Sequence, residues 1–472
     1  MSAMNPRLAF AVISSACWSA FQHGYNTGVI NAPADVMREW MYNEALGGTN
    51  QTLSFKDDPK TTNVWAVVVS IYCVGGMIGG IITGLVADRF GRKGGLLLNN
   101  VFVVVGTIFE SCAKLANSAE MLILGRLLIG VNSGLNAGLT PMYLAEISPI
   151  SLRGSIGTVY QLVITMTILL SQALGLGSVL GTAAGWPWLL AVGIVPAVIQ
   201  CATLPLCPES PKYLLLNQGQ ELQAQRALNW LRGDVSVHAE MEDMHQEAEK
   251  NKVTAKVTLR ELFTSRTLRQ PLIIAMVVMV AQQLSGINAV MFFSTDIFKK
   301  VGLSDVNSQY ATLGMGAMNV VMTVVSLFLV EMAGRKTLLL TGFTGMMVCT
   351  IVLTVGMLYT ATAAVSYLCI AMVILFVVMF AVGPGSIPWF LVTELFNQSA
   401  RPTAASAAVC INWTANFIVG LGFYPLSQVI DSYVFLIFVV LQLIFIIFIF
   451  FKVPETKNKT VEQITAMFRQ QL

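Results

Sequence analysis

The sequence predicts an all-α membrane protein with twelve transmembrane helices arranged as two six-helix repeats. Two charge-free runs, 154–208 and 337–393, are too long for an ordinary soluble domain, but each fits two membrane helices joined by a short turn. The composition agrees, because 55% of the residues are hydrophobic and only 11% are charged. About 20 apolar residues span the hydrocarbon core, whereas a charge at its centre costs at least ~2.5 kcal/mol.

Charged residues therefore mark the places where the chain leaves the lipid. The predicted spans, with the two charge-free runs counted twice, are 8–34, 61–87, 94–109, 127–145, 154–208, 270–295, 306–330, 337–393, 402–430 and 432–451. This assignment places 110–126 in an outer loop and leaves His23 as almost the only ionisable side chain at membrane depth. The cysteines fall within or at the ends of spans, so we expect no disulfide framework, metal site or cofactor.

The basic residues predict the orientation of the chain. If both termini share one side, the short segments on that side carry more Lys and Arg than those on the other. Basic loops face the cytosol, so we expect both termini to be cytosolic. The first outer loop then contains Asn50, in a sequon for N-glycosylation.

The chain divides into four predicted parts. The segment 209–269 is rich in acidic and basic residues, which is typical of a solvated set of short helices. It would form a cytosolic linker between an N-terminal half, 1–208, and a C-terminal half, 270–452, which is followed by a cytosolic tail, 453–472.

The two halves repeat each other on their predicted inner face. Three motifs recur at a nearly constant offset, as Gly91-Arg92-Lys93 and Gly334-Arg335-Lys336, as Glu146 with Arg153 and Glu394 with Arg401, and as Pro208-Glu209-Ser210 and Pro454-Glu455-Thr456. Parallel repeats of this kind indicate a rocking transporter with its substrate site between the halves. We expect ion pairs that gate the inner face among Arg92, Glu146, Arg153, Glu209, Glu331, Arg335, Glu394 and Arg401.

Amide side chains are the main polar groups inside the predicted spans. Gln282, Gln283 and Asn288 concentrate such groups on one short stretch of helix 7. Amides donate and accept hydrogen bonds, which suits a neutral, hydroxyl-bearing ligand. His23 alone is expected to be a packing residue rather than a proton carrier. In helix 10, Gly383 to Pro388 interrupts the backbone ladder, which predicts a moving gate beside a cavity.

Six motifs together resemble the facilitative hexose transporters, in the sugar-porter branch of the major facilitator superfamily. These motifs are QHGYNTGVINAP from Gln22, DRFGRK from Asp88, PESPKYL from Pro208, QQLSGINA from Gln282, GPGSIPWF from Gly383 and VPETK from Val453. The resemblance implies the major facilitator fold, a plasma-membrane location and no enzymatic activity or nucleic-acid partner. It also implies that the sugar site is lined by Gln161, Gln282, Gln283, Asn288, Asn319, Trp389 and Asn412.

Departures from the family pattern bear on substrate and energetics. Ala381 and the tripeptide from Met279 look more like fructose-accepting relatives, whereas Trp389 is the residue typical of glucose carriers. We therefore expect glucose as a substrate and leave fructose open. Asn26 stands where proton-coupled relatives have an aspartate, which favours uniport over proton–sugar symport. A non-transporting sugar sensor is the third interpretation, and such sensors tend to have longer cytosolic extensions.

Overall fold

The structure is a bundle of long helices that match the predicted spans. The computed structural model describes residues 4–47, 54–55, 58–251, 257–359 and 362–470. Within these residues, eleven helices are long and apolar enough to cross a membrane, and the N-terminal helical segment 6–28 supplies a twelfth. This confirms the predicted all-α class and the number of spans. Asn50, the predicted glycosylation residue, lies outside the described residues.

We number the membrane helices in chain order. From α1 to α12 they are 6–28, Pro59–Phe90, Arg92–Cys112, Ala119–Ile147, Ile150–Leu174, Trp186–Leu206, Arg266–Met291, Tyr310–Ala333, Arg335–Leu358, Ala363–Glu394, Arg401–Phe423 and Val434–Lys452. Short helices outside the spans are Ala34–Trp40 after α1, Glu221–Leu231, His238–Asn251 and Leu259–Thr264 in the linker, and Val461–Gln470 in the tail.

Local sequence signals set several helix boundaries. Asp58 caps α2 by accepting a hydrogen bond from the Thr61 N–H, and Pro59 occupies the first helical position. Ser118 caps α4 in the same way through the N–H of Met121. Gly91 separates α2 from α3 at a φ of +79°, a backbone conformation that disfavours residues with a Cβ.

Both chain termini lie on one face of the bundle, which we call the terminal face. Near the N-terminus, the Asn5 side chain donates to the carbonyl of Leu231 in the linker. At the other end of the chain, Glu455 accepts from the backbone N–H of Arg335 at the start of α9. The terminal face therefore comprises both ends of the described chain, the described parts of the linker, 209–251 and 257–265, and the segments 88–93, 146–153, 331–336 and 394–401.

The predicted outer loop 110–126 is wrong in its extent. Helix α3 continues to Cys112 and α4 begins at Ala119, so that Glu110 and Arg126 belong to membrane helices. Both side chains are buried, with Glu110 fully enclosed. His23 therefore shares the membrane interior with at least two other ionisable side chains, Glu110 and Arg126. A charged residue need not end a span, because neighbouring helices can cover its side chain.

Small residues let α2 pack tightly on two sides. On one side, Gly75 and Gly79 approach the α4 backbone at Gly130 and Gly134. On the other side, a row at Gly76, Gly80 and Gly84 faces α11 of the C-terminal half. Close backbone approach through small residues is a common basis for helix association in membranes. Helix α2 therefore packs within the N-terminal half on one side and contacts the C-terminal half on the other.

Candidate functional site

A cavity of about 140 Å³ lies between the two halves of the bundle. Residues of α1 and α5 line it from the N-terminal half, while α7, α8, α10 and α11 line it from the other. On α5 the lining begins at Gln161, about two turns beyond Arg153 on the terminal face, and ends at Gln172. The cavity is thus displaced away from the terminal face.

The predicted amides of α7 form one hydrogen-bonded cluster in the cavity wall. Asn288 donates to Gln283 Oε1 at 2.5 Å, and Gln283 Nε2 lies 3.3 Å from Asn412 Oδ1. Asn412 in turn donates to Gln282 Oε1 at 3.0 Å. Each Gln or Asn has both donor and acceptor groups. The hydrogen bonds within the cluster therefore determine which amide atoms remain free to bind a ligand.

The break in α10 lies beside this cluster. Helical structure stops at Val382 and resumes at Ile387, as the Gly-Pro-Gly motif predicts. Gln282 Nε2 donates to the freed carbonyl of Gly385 at 2.8 Å and lies 3.2 Å from that of Pro384. Unpaired backbone at membrane depth needs such partners. The side chain of Gln282 therefore couples α7 to the irregular segment of α10.

One hydrogen bond crosses the cavity from half to half. The Trp389 indole Nε1 donates to Gln161 Oε1 at 3.1 Å. Nearby, the buried Oδ1 of Asn319 has no hydrogen-bond partner among the described residues. Because an unpaired buried acceptor is costly, this oxygen is a natural contact for a ligand hydroxyl.

Six of the seven predicted sugar-site residues line the cavity: Gln161, Gln282, Gln283, Asn288, Asn319 and Trp389. Asn412 does not, because it lies behind the paired glutamines and supports them. Sequence reasoning missed His23 and Gln172, which are also in the wall. The spacing of His23 and Thr27, one helical turn apart on a polar stretch of α1, is the signal that points to this face.

The predicted inner-face charges come together on the terminal face in two similar sets. In the N-terminal half, Arg92 makes a two-pronged ion pair with Glu146, at 2.8 and 3.0 Å, and Ser210 donates to the same carboxylate at 2.7 Å. In the C-terminal half, Arg335 pairs with Glu394 at 3.1 Å, and Thr456 donates to Glu394. The two halves thus repeat not only the sequence motifs but also the hydrogen bonds that these motifs form.

Each of these carboxylates also binds an arginine from the opposite half. Arg401 lies 2.9 Å from Glu146, and Arg153 lies 3.3 Å from Glu394. Glu331, which is 3.7 Å from Arg335, additionally accepts from the Ser155 N–H at 3.0 Å. The two halves are therefore joined by charge-assisted contacts that are almost fully removed from solvent.

Two further glutamates cap the helices that follow the repeated glycines. Glu209 accepts from the backbone N–H groups of Arg92 and Lys93 at 3.1 and 3.0 Å. Glu455 does the same for Arg335 and Lys336, at 2.9 and 3.2 Å. A carboxylate is favoured at a helix N-terminus by the helix dipole. Burial raises the pKa of Glu209, whereas the backbone N–H groups of Lys93, Ser210 and Gly94 and the charge of Arg92 oppose that rise.

The chain matches the family described as Sugar (and other) transporter over residues 12–468. It belongs to this sugar transporter family. The facilitated glucose transporter member 1 of Gallus gallus is 46% identical over 471 residues, covering 99% of this chain and 95% of that protein. Member 3 of Homo sapiens is 45% identical over 474 residues, covering 99% and 93%.

The fold of this sugar transporter is also found among solved structures. The proton:xylose symporter XylE of E. coli, bound to 6-bromo-6-deoxy-D-glucose, aligns with a TM-score of 0.86 at 24% sequence identity. The match covers 98% of this chain and all of that one. The chain therefore has the major facilitator fold, and as a family member it is a membrane transporter and not an enzyme.

For a sugar transporter, the site has two physically separate parts. The cavity offers neutral donors, acceptors and the indole ring of Trp389, and its described lining includes no Asp, Glu, Lys or Arg. The terminal face holds the charges, where they join one half to the other. The first part suits binding of a polyhydroxylated ring, and the second can control access to it.

Proposed function

We propose that this chain is a facilitative hexose uniporter that carries D-glucose by alternating access, with fructose open as a second substrate. The observation that carries the proposal is the uncharged, amide-rich cavity between two halves that an ion-paired face also joins. The relatives named as facilitated glucose transporters support the same conclusion. The substrate would bind to Gln161, Gln282, Gln283, Asn288, Asn319 and Trp389, with Asn412 holding the glutamines in place.

The proposed orientation places the terminal face in the cytosol and the chain in the plasma membrane. The excess of Lys and Arg on that face supports this direction. The halves 1–208 and 270–452 would rock about the sugar, with the linker 209–269 and the tail 453–472 on the cytosolic side. The ion pairs that join the terminal face and the displacement of the cavity away from that face support an outward-facing arrangement.

Uniport is preferred to proton symport because α1 contains no Asp or Glu and has an amide, Asn26, next to the cavity-lining residue Thr27. Asn26 Nδ2 donates to the backbone carbonyl of Gln22 at 2.8 Å, and the Asn26 carbonyl accepts from Arg126 at 2.9 Å. An amide cannot take up and release a proton in the physiological pH range. Sugar should therefore equilibrate across the membrane without accumulating.

The test is uptake of labelled D-glucose by vesicles that contain the purified chain, with unlabelled glucose and fructose as competitors. We expect uptake that stops at the external concentration and an initial rate that a protonophore leaves unchanged. Accumulation that collapses with the protonophore would establish symport instead. Absence of flux for every hexose, despite sugar binding, would favour a sensor.

The site is tested by Gln161→Leu in the same vesicles. Removing one donor and one acceptor should weaken glucose binding by roughly 1–3 kcal/mol if the partner hydroxyl stays buried. Gln225→Leu, on the exposed surface of a linker helix, is the matched control and should behave like the parent. Parental affinity in a well-expressed Gln161→Leu variant would remove that residue from the site.

A further inference from the structure

We propose that His23 binds the sugar directly and contributes to the choice of substrate, through the nitrogen Nε2 of its ring. This inference rests on the proposed sugar transport and adds a residue to that site. It replaces the expectation, drawn from sequence, that His23 only packs.

The ring of His23 is held rigidly in the cavity wall. It stacks on Trp413 with ring centroids 5.2 Å apart and an interplanar angle of 28°. It also forms a T-shaped pair with Trp389, the predicted sugar-site indole, with ring centroids 5.8 Å apart. Two aromatic neighbours from the C-terminal half thus position a ring from α1 of the N-terminal half. A ring fixed in this way would spend little conformational entropy on binding a ligand.

Among the described residues, one of the two ring nitrogens of His23 has a hydrogen-bond partner and the other has none. Nδ1 lies 2.7 Å from the hydroxyl of Tyr160 on α5. Nε2 forms no hydrogen bond with any described residue and is not sealed from the cavity, whose wall includes this ring. Nε2 is therefore a polar atom of the cavity wall for which the described residues supply no partner.

The unused nitrogen suits a sugar hydroxyl in either tautomer. If the Tyr160 hydroxyl donates to Nδ1, then Nε2 carries the proton and is a donor. If that hydroxyl accepts, Nε2 is an acceptor. A hexose hydroxyl can take either role, so the contact forms in both cases. Tyr160 then acts as a positioning residue, because it decides which role remains.

This contact would give the chain a selectivity that a hydrocarbon ring cannot provide. Phenylalanine at the same place would keep most of the stacking on Trp413 and lose both nitrogens. A site built to hydrogen-bond one hydroxyl discriminates strongly against the analogue that lacks it. One particular hydroxyl of glucose should therefore contribute more to the binding affinity of this chain than to that of a relative with an apolar ring at the same position.

The test measures displacement of labelled glucose from the purified chain in detergent by glucose and by its series of single-deoxy analogues. Binding is measured directly, so the outcome does not depend on transport. In His23→Phe we expect glucose affinity to fall about 3- to 10-fold. One deoxy analogue, lacking the hydroxyl that His23 contacts, should keep its parental affinity. His23→Gln, which retains a donor and an acceptor, and Tyr160→Phe should affect the same hydroxyl less.

Two outcomes would overturn the proposal. One is parental glucose affinity in His23→Phe, and the other is an equal loss for glucose and every deoxy analogue, which means that the ring only packs. If His23→Phe does not elute as a folded protein, His23→Gln and Tyr160→Phe decide the question by the same analogue pattern. His245→Phe, on a linker helix outside the cavity, is the control and should match the parent. Sugar binding without flux would contradict the proposed transport but not the proposed role of His23.

Discussion

At the scale of single residues, the buried ionisable pair of α3 and α4 has very unequal surroundings. The Arg126 guanidinium lies 4.5 Å from the centre of the Tyr72 ring and donates to the Asn26 carbonyl. Glu110 packs against Gly125, and neither of its carboxylate oxygens has a hydrogen-bond partner among the described residues. A buried polar group without a partner costs roughly 1–3 kcal/mol. Glu110 therefore weakens the fold where it lies.

Glu110→Gln is expected to raise the thermal unfolding temperature and leave glucose uptake intact. The substitution keeps the shape of the side chain but cannot ionise. At a pH at which the Glu110 carboxyl is ionised, it therefore removes a buried charge that no donor stabilises, and the gain should be about 1 kcal/mol or more. Unfolding of the purified protein in detergent measures it, with the exposed Glu39→Gln as the control. A lower unfolding temperature would mean instead that the carboxylate compensates the charge of Arg126.

At the scale of elements, the two glycine rows of α2 have separate roles. A Cβ on Gly79 would lie 2.9 Å from the Leu135 backbone nitrogen on α4, within the N-terminal half. A Cβ on Gly80 would lie 2.8 Å from the Cys410 nitrogen on α11, in the other half. Real Cβ contacts are longer, so either change forces helices apart. One row maintains a half, and the other allows the halves to meet.

Gly79→Ala and Gly80→Ala form a matched pair with different expected results. Overpacking typically costs about 1–3 kcal/mol. In Gly79→Ala the cost falls on the half itself, so thermal stability should drop. In Gly80→Ala it falls on this arrangement of the halves, so the conformational equilibrium should move while the unfolding temperature changes less. Accessibility labelling and thermal unfolding distinguish them, and identical behaviour of the two variants would contradict separate roles.

At the scale of the whole molecule, two similar sets of ion pairs join the halves. Glu146 and Glu394 each bind one arginine of their own half and one of the other. Arg153 also reaches the tail, where its Nη2 donates to the Lys459 carbonyl at 2.9 Å. All these contacts lie on the terminal face, far from the cavity amides. They can bias the state of the transporter without touching the sugar.

Arg153→Ala should slow transport and shift the resting protein away from the arrangement seen here. It removes charge-assisted hydrogen bonds, each worth roughly 1.5–3 kcal/mol, from this state only, and an equilibrium moves by the difference between its states. Labelling of a cysteine at Asn31, in the cavity mouth opposite the terminal face, should decrease.

Arg89→Ala is the control for that experiment, because Arg89 is exposed on the same face and has no ion pair among the described residues. The control should label and transport like the parent. If Arg153→Ala does so as well, Arg153 only anchors its helix at the lipid headgroups.

Much of the architecture follows from local sequence pattern. Apolar length predicts the spans, because lipid excludes charge over the full thickness of its core. Repeated motifs predict duplicated halves. The Gly-Pro-Gly segment predicts the break in α10, because the proline lacks an N–H donor and the two flanking glycines disfavour a helix. The amides of the cavity are also visible in sequence, since they are rare polar groups in an apolar background.

Other features depend on contacts between residues that are distant in the chain. Arg126 can be buried because Tyr72 and Asn26 contact its guanidinium. Asn412 supports the cavity wall because it hydrogen-bonds to Gln282, which lines the cavity. The partner of Arg153 is Glu394, although Glu146 is its near neighbour in sequence. The sequence by itself determined which helices form and which groups are polar. Only the tertiary structure decided which polar groups meet, because burial and pairing depend on how helices pack.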